Sequence, residues 1–164
     1  MPKQLPFDHK DPSVFKLLRN VRTFKDLTNT EIKSLATILK KWQYKANEIV
    51  CREGDIGSAA YVVAVGEFYL DIMDRGIKPF YKGDFFGEIA LVDARPRMGT
   101  IRAIGGAELY SLDAGDINDQ NLISPLIAKK IYQGFARSIS FYLREGSTLY
   151  ENMEVLLIQD GGCA

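Results

Sequence analysis

Apolar residues near the amino end of the chain recur with the period of an α-helix. The spacing i, i+3, i+4, i+7 predicts a first short helix whose apolar positions are Val14, Leu17, Leu18 and Val21. A second helix begins at a capping box, in which Thr28 accepts an amide hydrogen bond and Glu31 reaches back to the Thr28 amide. Its apolar face consists of Ile32, Leu35, Ala36 and Leu39. We expect both helices to pack against the segment that follows them.

The middle of the chain, from about residue 41 to 113, has the pattern of short strands. Runs rich in Val, Ile, Tyr and Phe alternate with turn residues such as Gly, Asp and Asn. Tyr61–Val65 lacks polar alternation, which predicts a strand covered on both faces. Further strands are predicted over Glu67–Ile72 and Leu109–Leu112. Short strands at this spacing indicate an antiparallel sandwich or barrel.

The helical period returns after Gly115. Ser124 and Pro125 suit the first positions of a helix. Its apolar stripe comprises Ile127, Ile131, Phe135, Ile139 and Tyr142. Gly146 predicts a helix stop, which would be followed by a last helix from Thr148 and by a frayed tail over 160–164.

Composition narrows the classes of function. The 164 residues carry 21 basic and 21 acidic side chains, a balance that argues against broad binding to nucleic-acid phosphates. No apolar run approaches the roughly 20 residues of a membrane-spanning helix, and the amino end lacks the pattern of a signal peptide. The two cysteines, Cys51 and Cys163, fit a reducing, cytoplasmic location. Because His9 is the sole histidine, a histidine-rich metal site and a histidine-based catalytic triad are not expected.

Residues 83–103 carry most of the candidate chemistry. Two glycines flank an aromatic pair there, which allows a tight turn that admits a ligand close to the backbone. A single helical turn from Glu88 would point free amide groups toward an anion, and Arg97 follows the rigid Pro96. Such a set suits a ligand with a phosphate for the arginine and amides and a hydroxyl for the carboxylate. A plain β-turn with a surface Arg–Glu pair is the structural alternative.

The run FGEIAL, four further residues and PRMGT (86–91 and 96–100) resemble the phosphate-binding cassette of cyclic nucleotide-binding domains, without a gap in the spacing. This family includes the regulatory subunit of cAMP-dependent protein kinase, catabolite activator protein and cyclic-nucleotide-gated channels. The segments Ile49–Asp55 and Tyr61–Glu67 resemble the start of the family's barrel and one of its hairpins.

The resemblance covers about residues 24–145. It implies an α+β fold class, in which a small antiparallel β-barrel or jelly roll, a double-stranded β-helix, is flanked by amino- and carboxy-terminal helices. We therefore divide the chain into an amino-terminal arm and helix (1–23), the cyclic nucleotide-binding domain (24–145) and a carboxy-terminal helix and tail (146–164).

The resemblance also implies roles for individual residues. Arg97 would bind the cyclic phosphate through its planar guanidinium, and Glu88 would accept a hydrogen bond from the ribose 2′-hydroxyl. Gly87 would let the sugar lie close to the main chain, and the N–H groups of Ala90 and Met98 would help to hold the phosphate. The ligand-binding prediction comprises Gly87, Glu88, Ile89, Ala90, Arg97, Met98 and Gly99, with no metal ligand.

Five other residues are predicted to line the pocket or to cover the base. Val62, Val63 and Ile101 would lie near the base, with plain barrel core as the alternative. Tyr150 and Met153 would form a lid in which Tyr150 stacks on a purine. An ordinary core or dimer contact is the alternative for both.

Two residues depart from the family pattern. Met98 stands where the family has a small residue and where domains that prefer cGMP often have Thr. A thioether offers no strong donor or acceptor to guanine, so we favour cAMP over cGMP. Gly99 replaces a usual Ala, a change expected to add flexibility. Both changes also support an alternative function, that of an interaction module that has kept the fold and lost the ligand.

The resemblance implies a regulatory sensor for signal transduction, not an enzyme, with the cyclic nucleotide as its ligand and no cofactor. In the family, the nucleotide moves the carboxy-terminal helices, which here are residues 124–143 and the segment from Thr148. Few residues follow the match, so we expect no DNA-binding domain, and the chain is either a stand-alone protein or a fragment. A protein partner or a homodimer would use the carboxy-terminal helices, with Leu156, Leu157 and Ile158 as contacts.

Overall fold

The computed structural model describes the backbone of residues 1–73, 75–93 and 95–160, and their side chains except those of 75–77, 142 and 145–160. The helices are α1 (Pro12–Asn20), α2 (Asn29–Thr37), α3 (Ile89–Val92), α4 (Ala114–Asn118) and α5 (Pro125–Asp160), with a 3₁₀ turn over Arg22–Phe24. The strands are β1 (Lys3–Leu5), β2 (Lys40–Tyr44), β3 (Ile49–Cys51), β4 (Ala59–Val65), β5 (Phe68–Ile72), β6 (Arg75–Phe80), β7 (Phe85–Phe86), β8 (Thr100–Ala103) and β9 (Ala107–Asp113).

Within the described residues the strands form two antiparallel sheets. One has the order β1-β2-β9-β4-β7 and the other the order β3-β8-β5-β6. Both contribute side chains to one inner core, so they pack face to face. Helices precede and follow the strands, which confirms the predicted α+β class of a small antiparallel β body flanked by helices.

The central strands β4 and β9 separate two cores because alternate side chains point to opposite faces. Ala60, Val62 and Leu112 pack with α1, α2 and α5 in a helix-facing core. Val63 and Leu109 pack with the four-stranded sheet in the inner core. The prediction of a strand covered on both faces is therefore confirmed for β4. The molecule has three layers, namely helices, the five-stranded sheet and the four-stranded sheet.

The amino-terminal helices begin as the sequence predicts. Thr28 N donates to Glu31 Oε2 (2.7 Å) and Glu31 N donates to Thr28 Oγ1 (3.3 Å), which forms the expected capping box of α2. The residues before α1 were expected to be an arm, but Lys3–Leu5 form β1 and pair with β2. Three polar or half-buried residues that pair only through their main chain give no hydrophobic signal.

The carboxy-terminal helix begins at Pro125, and its first apolar residues, such as Ile131 and Phe135, are fully buried. The predicted helix stop at Gly146 is wrong, because α5 continues to Asp160. A glycine inside a helix costs only about 1 kcal/mol relative to alanine, which a long helix tolerates. The predicted tail after Asp160 lies outside the described residues. No described helix has the combination of length and apolar content that crossing a membrane requires.

Candidate functional site

A cavity of about 340 Å³ lies against the four-stranded sheet, between that sheet, β7, α3 and residues 95–99. All seven predicted ligand-binding residues line it: Gly87, Glu88, Ile89, Ala90, Arg97, Met98 and Gly99. The backbone explains how they meet. A bridge between Ile56 and Pro96 and a hydrogen bond from Arg97 N to Asp55 O (2.8 Å) fix the segment that carries Arg97. The structure thus brings the candidate residues together, while their role as ligands remains a prediction.

Arg97 is a buried cation held by main-chain oxygens, since only 9% of the residue is exposed. Its Nη1 donates to the carbonyl of Gly87 (3.2 Å) and its Nη2 to that of Ala59 (2.6 Å), but its Nε finds no hydrogen-bond partner in the part of the chain that the structure describes. None of the ion pairs recorded among the described residues includes Arg97. A buried charge without a counter-ion is costly. The arrangement therefore favours an anionic ligand.

Two glycines make room for the guanidinium. Gly87 adopts a left-handed φ of +84°, and a Cβ there would lie 2.8 Å from Arg97 Nη1. A Cβ on Gly57 would overlap Arg97 Nε and Cζ. Only glycine meets both the conformational and the steric requirement at residue 87. The sequence analysis identified Gly87 but missed Gly57, whose contact with Arg97 joins residues far apart in the chain.

Glu88 brings a buried carboxyl group to the cavity. It is 5% exposed and immediately precedes α3, whose first N–H groups have no partner inside the helix. Burial raises the pKa of Glu88 above its ordinary value, an effect that its own backbone N–H and the cations of Lys78 and Arg97 partly oppose. A buried carboxyl group of this kind needs a hydrogen-bond donor to stabilise its charged form. A ligand hydroxyl at the cavity would be such a donor.

The two departures from the family pattern have different structural settings. Met98 is 65% exposed and lies at the rim, so its side chain does not fill the cavity. Gly99 packs closely on β5, because a Cβ there would lie 2.6 Å from Asp71 O and 2.8 Å from Leu70 Cδ1. The expectation that Gly99 adds flexibility is therefore corrected. An alanine at this position would have to displace the neighbouring strand.

The other predicted lining residues separate into three groups. Ile101 lines the cavity. Val62 and Val63 do not, because Val62 packs in the helix-facing core and Val63 in the inner core. For these two valines the alternative of plain core is the correct one. Tyr150 and Met153 have side chains outside the described part of the structure, so the lid stays a prediction.

Several lining residues were not predicted from the sequence. They come from β3, β5, β6, β7 and the segment before Arg97, and they are Cys51, Leu70, Ile72, Lys78, Phe80, Phe85, Phe86, Arg95 and Pro96. Alternation along β5 predicts that Leu70 and Ile72 share one face of that strand. Alternation along β6 likewise predicts that Lys78 and Phe80 share one face. The pairing register of Leu70 with Lys78 is what brings these faces together.

Comparison with known proteins identifies the family and the fold. Residues 41–120 match the family model for the cyclic nucleotide-binding domain. The cAMP-dependent protein kinase regulatory subunit of Eremothecium gossypii is 33% identical over 113 residues, which are 67% of this chain and 24% of that protein. The cGMP-dependent protein kinase of Toxoplasma gondii is 28% identical over 154 residues, 90% of this chain and 15% of that protein.

A solved structure described as cAMP-bound PfPKA-R (141–441) superposes with a TM-score of 0.68 at 28% identity, over 82% of this chain and 45% of that chain. The chain spans about a quarter or less of the full length of the two relatives named above. All residues that line the cavity, from Cys51 to Ile101, lie inside the matched range. Through residues 41–120, the chain therefore belongs to the cyclic nucleotide-binding domain family.

Proposed function

We propose that this chain is a regulatory module that binds cAMP in preference to cGMP and signals through α5, without catalysis of its own. The observation that supports it most is the buried guanidinium of Arg97, which among the described residues has no carboxylate partner and no hydrogen-bond acceptor for its Nε. A cyclic phosphate carries one negative charge on two exocyclic oxygens. It would supply both the counter-charge and the acceptors that a guanidinium binds best.

Glu88 would bind the ribose of the same ligand. Its carboxyl group lines the cavity that Arg97 also lines, and burial disfavours its charge. A hydrogen bond from a 2′-hydroxyl would stabilise the carboxylate. Gly87 immediately precedes Glu88, and its missing Cβ leaves room for the Arg97 guanidinium, which donates to the Gly87 carbonyl.

The preference for cAMP rests on Met98 and on the apolar wall of the cavity. Leu70, Ile72 and Ile101 supply that wall, which suits the face of a purine. Met98 offers the guanine amino group no strong acceptor. The names of the two relatives include both cAMP and cGMP, so selectivity has to be measured on this chain.

Signalling through α5 is supported by Phe85. Phe85 is among the residues that line the cavity, and its ring stacks on Phe135 of α5 with ring centroids 5.5 Å apart and planes 10° apart. A ligand can shift α5 only if it binds one arrangement of these rings better than another. A protein partner for the carboxy-terminal helices and a cytoplasmic location remain predictions.

The alternative function, an interaction module without a ligand, drew its support from Met98 and Gly99. An exposed Met98 and a strand-packed Gly99 both leave the cavity open. We therefore favour the sensor over the ligand-free module.

Calorimetric titration with cAMP and cGMP tests the proposal on the parent, Arg97→Ala and Arg97→Lys. Loss of the buried partner of a phosphate costs about 3–5 kcal/mol, so we expect Arg97→Ala to weaken cAMP binding at least a hundredfold. Arg97→Lys keeps the charge but loses the planar pair of donors, so its affinity for cAMP should lie between those of the parent and Arg97→Ala. The parent should bind cAMP more tightly than cGMP.

Arg52→Ala is the matched control for this experiment. Arg52 carries the same charge as Arg97, is exposed, and is not among the residues that line the cavity. Its loss should change affinity less than about threefold, because a solvated charge outside the site contributes little. Equal affinities for the parent and Arg97→Ala, with both folded by circular dichroism, would contradict the proposal. A melting temperature unchanged by every cyclic nucleotide would favour the ligand-free module.

A further inference from the structure

A second cavity, of about 270 Å³, lies between the 3₁₀ turn Arg22–Phe24 and the middle of α5. We call it the basic pocket, and its lining residues are Arg22, Lys25, Arg137, Ser138, Phe141 and Arg144. Four of these six residues are cations, in a chain whose formal net charge is zero. None of them lines the first cavity, which contains Glu88 and Arg97 and which we call the nucleotide cavity. The proposed function therefore makes no use of them.

The two walls of the basic pocket are fixed relative to each other. Thr23, which is buried, shares a hydrogen bond of 2.9 Å between its Oγ1 and Ser138 Oγ. Gly134 packs directly on the same turn, because a Cβ at Gly134 would overlap the carbonyl oxygen of Thr23. The cations of the turn and those of α5 are therefore held facing one cavity by packing of the main chain.

The side chains of the basic pocket are arranged to present charge. The guanidinium of Arg22 lies over the ring of Phe141, with its Cζ 4.0 Å from the ring centroid. This cation–π contact stabilises the position of the guanidinium at the pocket. Arg137 pairs with Asp26, and both side chains are about half exposed. Neither Arg22 nor Lys25 is part of any ion pair recorded within the described residues.

We propose that the basic pocket is a binding site for a phosphate-bearing anion, supplied by a soluble polyphosphate or by a phosphorylated lipid headgroup. Arginine forks match phosphate oxygens in geometry and charge, Lys25 adds a point charge, and Ser138 adds a hydroxyl group. The small volume suits one or two phosphate groups better than an extended acidic peptide. Because the cations are exposed, binding should weaken with added salt.

The experiment uses the full chain carrying Arg97→Ala, so that phosphate binding in the cavity beside Glu88 is strongly weakened. Inorganic pyrophosphate is titrated by calorimetry at about 50 mM and about 200 mM NaCl, where the screening length differs about twofold. In parallel, the protein is sedimented with phosphatidylcholine vesicles that do or do not contain phosphatidylinositol 4,5-bisphosphate. Binding to pyrophosphate alone identifies a soluble ligand, and binding only to the phosphoinositide vesicles identifies a lipid headgroup.

The double change Arg22→Gln and Lys25→Gln should reduce binding at least tenfold in whichever of the two assays, calorimetry or vesicle sedimentation, detects binding. The matched control is Lys33→Gln with Lys129→Gln, which removes the same charge from exposed lysines outside the basic pocket and should reduce it less than threefold. Equal losses for the two doubles would show general charge attraction and overturn the site. Absence of binding in both arms at the lower salt concentration would overturn it as well. The proposed cyclic nucleotide binding is not affected by either result, because it is measured at Arg97.

Discussion

Glu88 and Arg97 are both buried at one cavity, yet no ion pair between them is recorded in the described structure. Each is therefore available to a ligand that brings a hydroxyl group and an anion. Burying these two groups without a ligand lowers the stability of the free protein, as is common at binding sites. The loss of stability is measurable at Glu88, because burial raises its pKa.

We expect Glu88→Gln to stabilise the ligand-free protein at neutral pH while it weakens cyclic nucleotide binding. The folded pKa of Glu88 is raised, so the folded protein keeps a proton that the unfolded chain releases. Stability of the parent thus falls as pH rises above the ordinary value of 4.5 through the raised pKa. The Glu88→Gln variant does not lose stability in this way, because a glutamine side chain does not ionise.

Melting temperatures of parent and variant from pH 4 to 8 check this, since their difference should grow with pH and then level off. Glu67→Gln, at an exposed glutamate, serves as the control. A difference that stays constant over the whole range would mean that burial does not affect Glu88.

The resemblance of the cassette predicted that Arg97, Glu88 and Gly87 lie at one site, and all three line one cavity. It could not predict the carbonyl of Ala59, which accepts from Arg97 across 38 residues of sequence. Nor could it predict the role of Gly57. A Cβ at that position would overlap the Arg97 guanidinium, and this conflict arises only in the folded chain. Contacts within one segment follow from the sequence, whereas contacts between segments depend on strand pairing.

Among the elements, α2 shows how well local signals predict a boundary. Thr28 and Glu31 form the reciprocal bonds that their spacing requires. In α5 the local signal at Gly146 failed, because a weak helix former is not a terminator when no proline or cap follows it. The strand β1 was missed since its stability comes from pairing with β2 and not from its own residues.

Thr28→Ala should reduce the free energy of unfolding by about 1 kcal/mol, because it removes the acceptor for the Glu31 amide. Urea titration measures the change. Thr30→Ala, two residues further along on the exposed side of α2, should change stability by less than about 0.5 kcal/mol. Similar losses for the two variants would mean that the capping box contributes nothing specific.

At the scale of the whole molecule, Phe85 joins the five-stranded sheet to the helical layer. The residue is among those that line the cavity beside Arg97, and its ring stacks on Phe135 of α5 and meets Phe24 of the 3₁₀ turn edge to face at 5.4 Å. The hydrophobic pattern predicted helices packed against a β body. It did not predict that one aromatic residue would contact both helical elements and also lie at the cavity.

Phe85→Ala should destabilise the fold by about 3–5 kcal/mol, as expected for a buried aromatic residue that leaves a cavity. Phe85→Leu should lose less and remain folded, so it tests the connection to α5. In that variant we expect cAMP still to bind, with a smaller change in the near-ultraviolet circular dichroism of the aromatic residues. An undiminished spectral change would show that the signal does not pass through this ring.

The pairing of β1 with β2 has a consequence for the self-association of the protein. Residues 3–5 cover the outer edge of the five-stranded sheet, and Met1 is fastened to Glu48 by an ion pair of 2.7 Å. Trimming the first six residues would uncover a row of main-chain donors and acceptors on β2, which invites a second copy to add a strand. Light scattering should then show stronger concentration-dependent self-association than that of the intact chain.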